Sequence, residues 1–258
     1  MKEWRSIAGL SLAVLFASQG AGCAVPLSRA CPSCKVVELG VRPPVAQGIK
    51  TVYVLIPGLL GYGWEWDEAQ KELALMPDAA TLLWPWDPWL SVARSGDSLA
   101  QHLDFLLRRL PGSVDRVVVV AHSAAGLLLL WAGARISVPS RLSVELISVG
   151  APLAGQGFNP WSEPNLWWTP LPIALGSRFS GWPALAAGVS LRVFVTGPSD
   201  PVMTPRFGHR PGDARVLPPS ASVVELPLTL DHNVALGFLA KQLRVEAQAH
   251  VAQPKASP

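Results

Sequence analysis

The residues best suited to covalent chemistry are Ala121-His122-Ser123-Ala124-Ala125-Gly126, a serine among very small side chains inside a strongly apolar stretch. Upstream stand Val117-Val118-Val119-Val120, and downstream Leu127-Leu128-Leu129-Leu130. β-Branched valines favour a strand and leucines favour a helix, so the stretch reads as a strand, a sharp turn and a helix with Ser123 at the bend. A hydroxyl lifted by such a turn acts as a nucleophile once a neighbouring base takes its proton. The competing reading is one membrane span from Val117 to Ala134, against which the residue type switches in its middle.

The flanking segments must position that bend. Thr51 to Ile56 is a buried strand ended by Pro57-Gly58, Glu65 to Leu75 has helical spacing, and Ala80 to Trp84 is a second strand. Ser98 to Leu110 sets Leu99, Leu103, Leu106, Leu107 and Leu110 on one helical face, stopped by Pro111-Gly112. Further strands are expected at Leu142 to Val149, Leu191 to Val195 and Val223 to Leu226, with a short one at Val36 to Leu39 and a closing helix from Asn233 to Glu246. Strands alternating with helices imply a mostly parallel sheet covered on both faces. Residues 155 to 189 break the alternation and are rich in Pro, Gly and Trp, including Trp161, Trp167, Trp168 and Trp182.

The Ser123 segment resembles the nucleophile elbow of the α/β hydrolases, Gly-x-Ser-x-Gly, with Ala121 and Ala125 at the glycine positions. The resemblance implies an α/β-hydrolase fold and a catalytic order of serine, acid and histidine. Asp200, after the Leu191 to Val195 strand, matches the acid, and His232, before the closing helix, matches the base. Asp213 is the fallback acid, and Asp231 is read as a helix cap. His102, His122 and His209 are given packing or surface roles. The oxyanion hole is expected from the backbone N–H groups of Ala124 and Leu59, although Pro57 replaces the histidine usual at the start of that loop. Trp84-Pro85-Trp86-Asp87-Pro88-Trp89 and Ser148-Val149-Gly150-Ala151-Pro152-Leu153-Ala154-Gly155 look like segments of lipases related to lecithin–cholesterol acyltransferase and the inositol deacylases. In that likeness Asp87 is structural.

The implied activity is hydrolysis of carboxylic esters, with lipid-like acyl groups favoured. The tryptophan-rich stretch then forms a cap over the carboxyl ends of the strands, and Leu60, Trp161, Trp167 and Trp168 are pocket candidates. The alternative for these tryptophans is packing of the cap on the sheet. The alternatives for function are acyl transfer or thioester hydrolysis by the same triad, and a catalytically silent lipid-binding envelope protein of the same fold.

Composition agrees with a large core: half of the 258 residues are hydrophobic, 15% are charged and the net charge is +3. The basic residues are scattered, which argues against a nucleic-acid footprint. No metal site has ligands at convincing spacing, no dinucleotide fingerprint is present, and no cofactor is expected. Lys2 and Arg5, the apolar run Ile7 to Phe16 and the small residues up to Cys23 read as an export signal. Gly20-Ala21-Gly22-Cys23 resembles a bacterial lipobox, with Gly20 where leucine is usual; it implies lipidation at Cys23 and a lipid-anchored protein of the cell envelope or periplasm. Ordinary cleavage and a soluble secreted protein are the alternative. Cys31 and Cys34 are left as a disulfide or two free thiols. The expected layout is a signal peptide at 1–22, a tether at 23–49, an α/β-hydrolase domain at 50–246 with a cap insertion at about 155–189, and a flexible tail at 247–258.

Overall fold

A computed structural model describes residues 35–36, 45–58, 63–86, 92–153, 182–196, 217–226 and 234–252. The described strands are β1 (Lys35–Val36), β2 (Thr51–Ile56), β3 (Ala79–Leu83), β4 (Arg116–His122), β5 (Ser143–Val149), β6 (Val189–Val195) and β7 (Ala221–Glu225). The helices are α1 (Asp67–Leu73), α2 (Val92–Arg109), α3 (Ala125–Gly133) and α4 (Val234–Ala252), and a 3-10 turn over Trp64–Trp66 leads into α1. The seven strands form one sheet in the order β1-β3-β2-β4-β5-β6-β7, parallel at every neighbouring pair.

β4 is central, and its valine run shows why the strand has no polar alternation. Val117, Val119 and Ala121 enter one core layer with Leu99, Leu103, Leu106 and the leucines of α3. Val118 and Val120 enter the opposite layer with Trp66, Leu73, Leu236, Leu239 and Leu243. A parallel strand sandwiched between two helical layers must be apolar on both faces. Thus α2 and α3 cover one side of the sheet and α1 and α4 the other. The chain has the α/β-hydrolase fold.

The valine-to-leucine stretch is therefore not one helix: it is β4, a turn and the nine-residue α3. No described helix is long and apolar enough to cross a membrane. Other elements depart from the sequence reading in length. α2 starts at Val92, six residues before Ser98; Ser95 and Gly96 are buried in this first part of the helix with no leucine to mark them. A Cβ on Gly96 would lie 2.5 Å from the Trp131 ring, so the two helices meet at a bare α-carbon. The Glu65 to Leu75 helix resolves into the 3-10 turn and α1, leaving Leu75 62% exposed beyond it. β1 is described at Lys35–Val36, with the remainder of the expected Val36 to Leu39 strand outside the described residues; β6 starts two residues earlier than expected, and β7 covers Ala221–Glu225. α4 continues past Glu246 to Ala252, so the first part of the expected tail is helical.

Charged residues join the sheet to α4. Arg116 on β4 donates to Glu145 on β5 at 2.7 Å, Arg192 on β6 pairs with Glu145, and Arg192 Nη1 donates to Glu246 of α4 at 3.0 Å. Burial works against ionisation of Glu246, but the Arg192 hydrogen bond and charge prevail and hold its carboxyl below the ordinary value.

Candidate active site

Parallel strands end on one edge, and Ser123 stands at that edge where β4 turns into α3. Its backbone φ is +52°, the only positive value at a non-glycine among the described residues. An L-residue in this region costs about 1–3 kcal/mol and persists only where the surroundings enforce it. Here they do. The Ser123 N–H donates to the Val149 carbonyl at 2.8 Å, and its carbonyl accepts from Gly126 N–H at 3.0 Å. The turn is pinned to β5 on one side and to the first turn of α3 on the other, while the Ser123 side chain stays outside the sheet, half-buried.

The departures from the glycine pattern have a packing explanation. Ala121 lies in the sheet opposite Ile56 and Ser148, with its methyl group in the core. Ala125 is fully buried as the first residue of α3. The demand for a bare α-carbon falls one residue later: a Cβ on Gly126 would come within 2.4 Å of both Ala151 Cβ and Ser148 Oγ. The helix therefore crosses β5 at Gly126, and alanine fits at 125.

Two backbone donors decide whether an oxyanion can be held here. Ala124 is 5% exposed and caps α3, and among the described residues nothing accepts a hydrogen bond from its N–H. An N–H with no acceptor among the described residues, beside a strained serine, has the form of half an oxyanion hole. On the loop after β2, Gly58 approaches the same serine, but its N–H is already given to Glu65 Oε1 at 2.7 Å. Pro57 beside it is braced by Trp86, whose indole N–H donates to the Pro57 carbonyl at 2.7 Å.

Beneath the bend lies a pair that reading the sequence in order did not find. Glu65 Oε1, which holds Gly58, also meets His122 Nδ1 at 3.0 Å, with the two side chains only 5% and 3% exposed. Trp66 packs its ring edge-on to the His122 imidazole at 6.3 Å between centroids. His122 is thus buried, paired with a carboxylate and packed on an aromatic ring. Its acidic partner stands 57 positions away, and only a carboxylate among the tryptophans of Trp64-Glu65-Trp66 hinted at it.

Of the other candidates, His102 is a packing residue: its ring bonds the Ser98 carbonyl at 2.8 Å and meets Trp84 edge-on. Trp182, from the tryptophan-rich stretch, is buried and donates to the Leu153 carbonyl at 2.9 Å, so this tryptophan packs against the sheet. Asp200, His232, Leu59, Leu60, Trp161, Trp167, Trp168, Cys23, Cys31 and Cys34 lie outside the described residues, as do Asp87, His209, Asp213 and Asp231. Among the described residues no group of His, Cys, Asp and Glu could hold a metal ion.

A parallel sheet with a strained serine at the end of its central strand defines the α/β-hydrolase architecture. Among solved structures, the chain is similar to lipase B of Aspergillus fumigatus, with a TM-score of 0.50 and 20% identity over 79% of this chain and 53% of that one. The chain thus spans about half the length of that lipase. It is similar to a metagenomic carboxyl esterase, at a TM-score of 0.50 and 17% identity over 83% and 79% of the two chains. It is also similar to the NocB thioesterase domain, seen in covalent complex with a fluorophosphonate nocardicin G analogue, at a TM-score of 0.50 and 13% identity over 80% and 97%. At these identities the likeness is one of fold. No family model and no curated protein matches the sequence.

Proposed function

We propose that the protein is a serine hydrolase cleaving carboxylic esters through an acyl-enzyme on Ser123. The observation that carries this reading is the left-handed φ of Ser123 at the β4–α3 junction, since nothing in packing alone calls for a serine there. In the proposed reaction Ser123 Oγ attacks the ester carbonyl carbon while His232 takes the hydroxyl proton and Asp200 orients the imidazole. The tetrahedral oxyanion accepts hydrogen bonds from the N–H groups of Ala124 and Leu59. The alcohol leaves with the proton from His232, and water then repeats the sequence on the acyl-enzyme, releasing the acid.

The substrate class follows from the sequence: the likeness to lecithin–cholesterol acyltransferase and inositol-deacylase lipases, and Leu60, Trp161, Trp167 and Trp168, favour lipid-like acyl groups. The lipobox-like Cys23 supports a lipid-anchored enzyme of the cell envelope, with a soluble secreted enzyme as the alternative. A second reading, thioester hydrolysis or acyl transfer on the same serine, is supported by the likeness to a thioesterase domain. Products formed with an added alcohol acceptor separate the two.

The test is Ser123→Ala. It is expected to lower turnover of short p-nitrophenyl esters by about 10⁴-fold or more and to abolish fluorophosphonate labelling, with the fold intact. Full activity in that variant rejects the assignment. A panel of esters of graded chain length then defines the acyl preference.

A further inference from the structure

One carboxylate oxygen joins the two halves of the proposed site. Glu65 Oε1 accepts from Gly58 N–H at 2.7 Å, on the loop after β2, and meets His122 Nδ1 at 3.0 Å, next to the nucleophile. The same oxygen would lie 3.5 Å from a Cβ on Gly58, which itself would stand 3.2 Å from Ser123 Cβ. The side chains of the pair are almost fully buried, with Trp66 packed on the His122 ring, so water does not compete for these bonds.

From this geometry we infer that Glu65 is a positioning residue that fixes the oxyanion loop against the nucleophile turn. The inference rests on the hydrolase reading of Ser123. The physical reason is directional. By taking the Gly58 N–H, Glu65 fixes the Pro57–Gly58 peptide where the loop leaves β2, close beside Ser123. By holding His122, it references the loop to the strand that carries Ser123. An oxyanion forms only in the transition state, so a misaligned donor lowers kcat and leaves ground-state binding alone. A carboxylate suits both tasks, because its charge strengthens each bond compared with a neutral acceptor.

The experiment uses the purified full-length chain with Glu65→Leu and Glu65→Gln, alongside Ser123→Ala. On a short p-nitrophenyl ester, Glu65→Leu is expected to lose about 10²-fold in kcat with KM within about threefold. Glu65→Gln keeps an acceptor oxygen and is expected to lose about tenfold. Affinity for a trifluoromethyl ketone, which forms a tetrahedral adduct, is expected to fall in step with kcat, whereas a plain methyl ketone of the same shape binds as before. A purely structural Glu65 would lower Tm and leave kcat per folded molecule and the ketone ratio unchanged, and that result overturns the inference. Should Glu65→Leu not fold, Glu65→Gln decides alone: wild-type kcat and ketone ratio overturn the proposal, and a joint loss supports it. If Ser123→Ala keeps full activity, the hydrolase reading itself falls and takes this inference with it. An inactive Ser123→Ala beside fully active Glu65 variants rejects only the role of Glu65.

Discussion

The α-carbon of Gly58 faces Ser123 so closely that a methyl group added to it would sit 3.2 Å from Ser123 Cβ and 3.3 Å from His122 Nδ1. Such contacts are accommodated only if the loop moves by a few tenths of an ångström. Gly58→Ala is therefore expected to lower ester kcat/KM by about 10- to 10²-fold through displacement of the loop. Its thermal midpoint is expected to fall by about 2–4 °C, because Gly58 is buried beside Ser123 and His122. Steady-state kinetics and a melting curve check both parts, and an unchanged kcat/KM would place this loop outside the site.

The left-handed backbone at Ser123 implies a stability cost borne for function. Glycine adopts φ = +52° freely, whereas alanine carries the same strain as serine. Ser123→Gly is expected to melt about 2–4 °C above Ser123→Ala, equivalent to about 1 kcal/mol, with both variants inactive. Differential scanning calorimetry on the pair gives the answer; the reverse order would mean that the bend is not strained.

Gly126 carries the tightest approach of α3 to β5. Gly126→Ala puts a carbon within 2.4 Å of Ala151 Cβ and Ser148 Oγ, in a region with no exposed surface. The expected cost is about 1–3 kcal/mol, or a fall of about 2–12 °C in Tm. Ala125→Gly, which restores the family pattern, is expected to bring no gain in activity and to lose about 0.5–1 kcal/mol of helix stability. Equal stability of Gly126→Ala and the parent chain would refute the close helix–strand contact.

The Glu246 carboxyl titrates below its ordinary value of 4.5 in the folded chain because Arg192 favours its charged form. The folded state then binds fewer protons than the unfolded state in this window, so stability rises with pH across it. The ion pair stabilises fully above the ordinary value and loses its contribution as pH falls through the depressed one. Compared with Glu246→Gln, the parent chain is expected to show a higher Tm at about pH 6 and a gap that closes as acid is added. A gap independent of pH would argue against the ion pair as its source.

The Ser123 bend was legible in sequence because valine and leucine differ in backbone preference and the small residues between them mark the turn. The α2 start was not legible, since Gly96 is buried against Trp131 and Ser95 is buried too, with no apolar periodicity to mark either. β7 was displaced for a related reason. It lies at the sheet edge with Val223 42% exposed, so hydrophobicity no longer tracks the strand.

The amino-acid sequence by itself determined the alternation of strands and helices, the two-sided burial of β4 and the identity of the serine at its end. These follow from local preference and from patterning along a few adjacent residues. Only the tertiary structure decided that Glu65 would hold both Gly58 and His122, and that Gly126, and not residue 125, must lack a side chain. Those relations join atoms from separate elements, and no local propensity encodes a distance between chain segments that first meet when the sheet assembles.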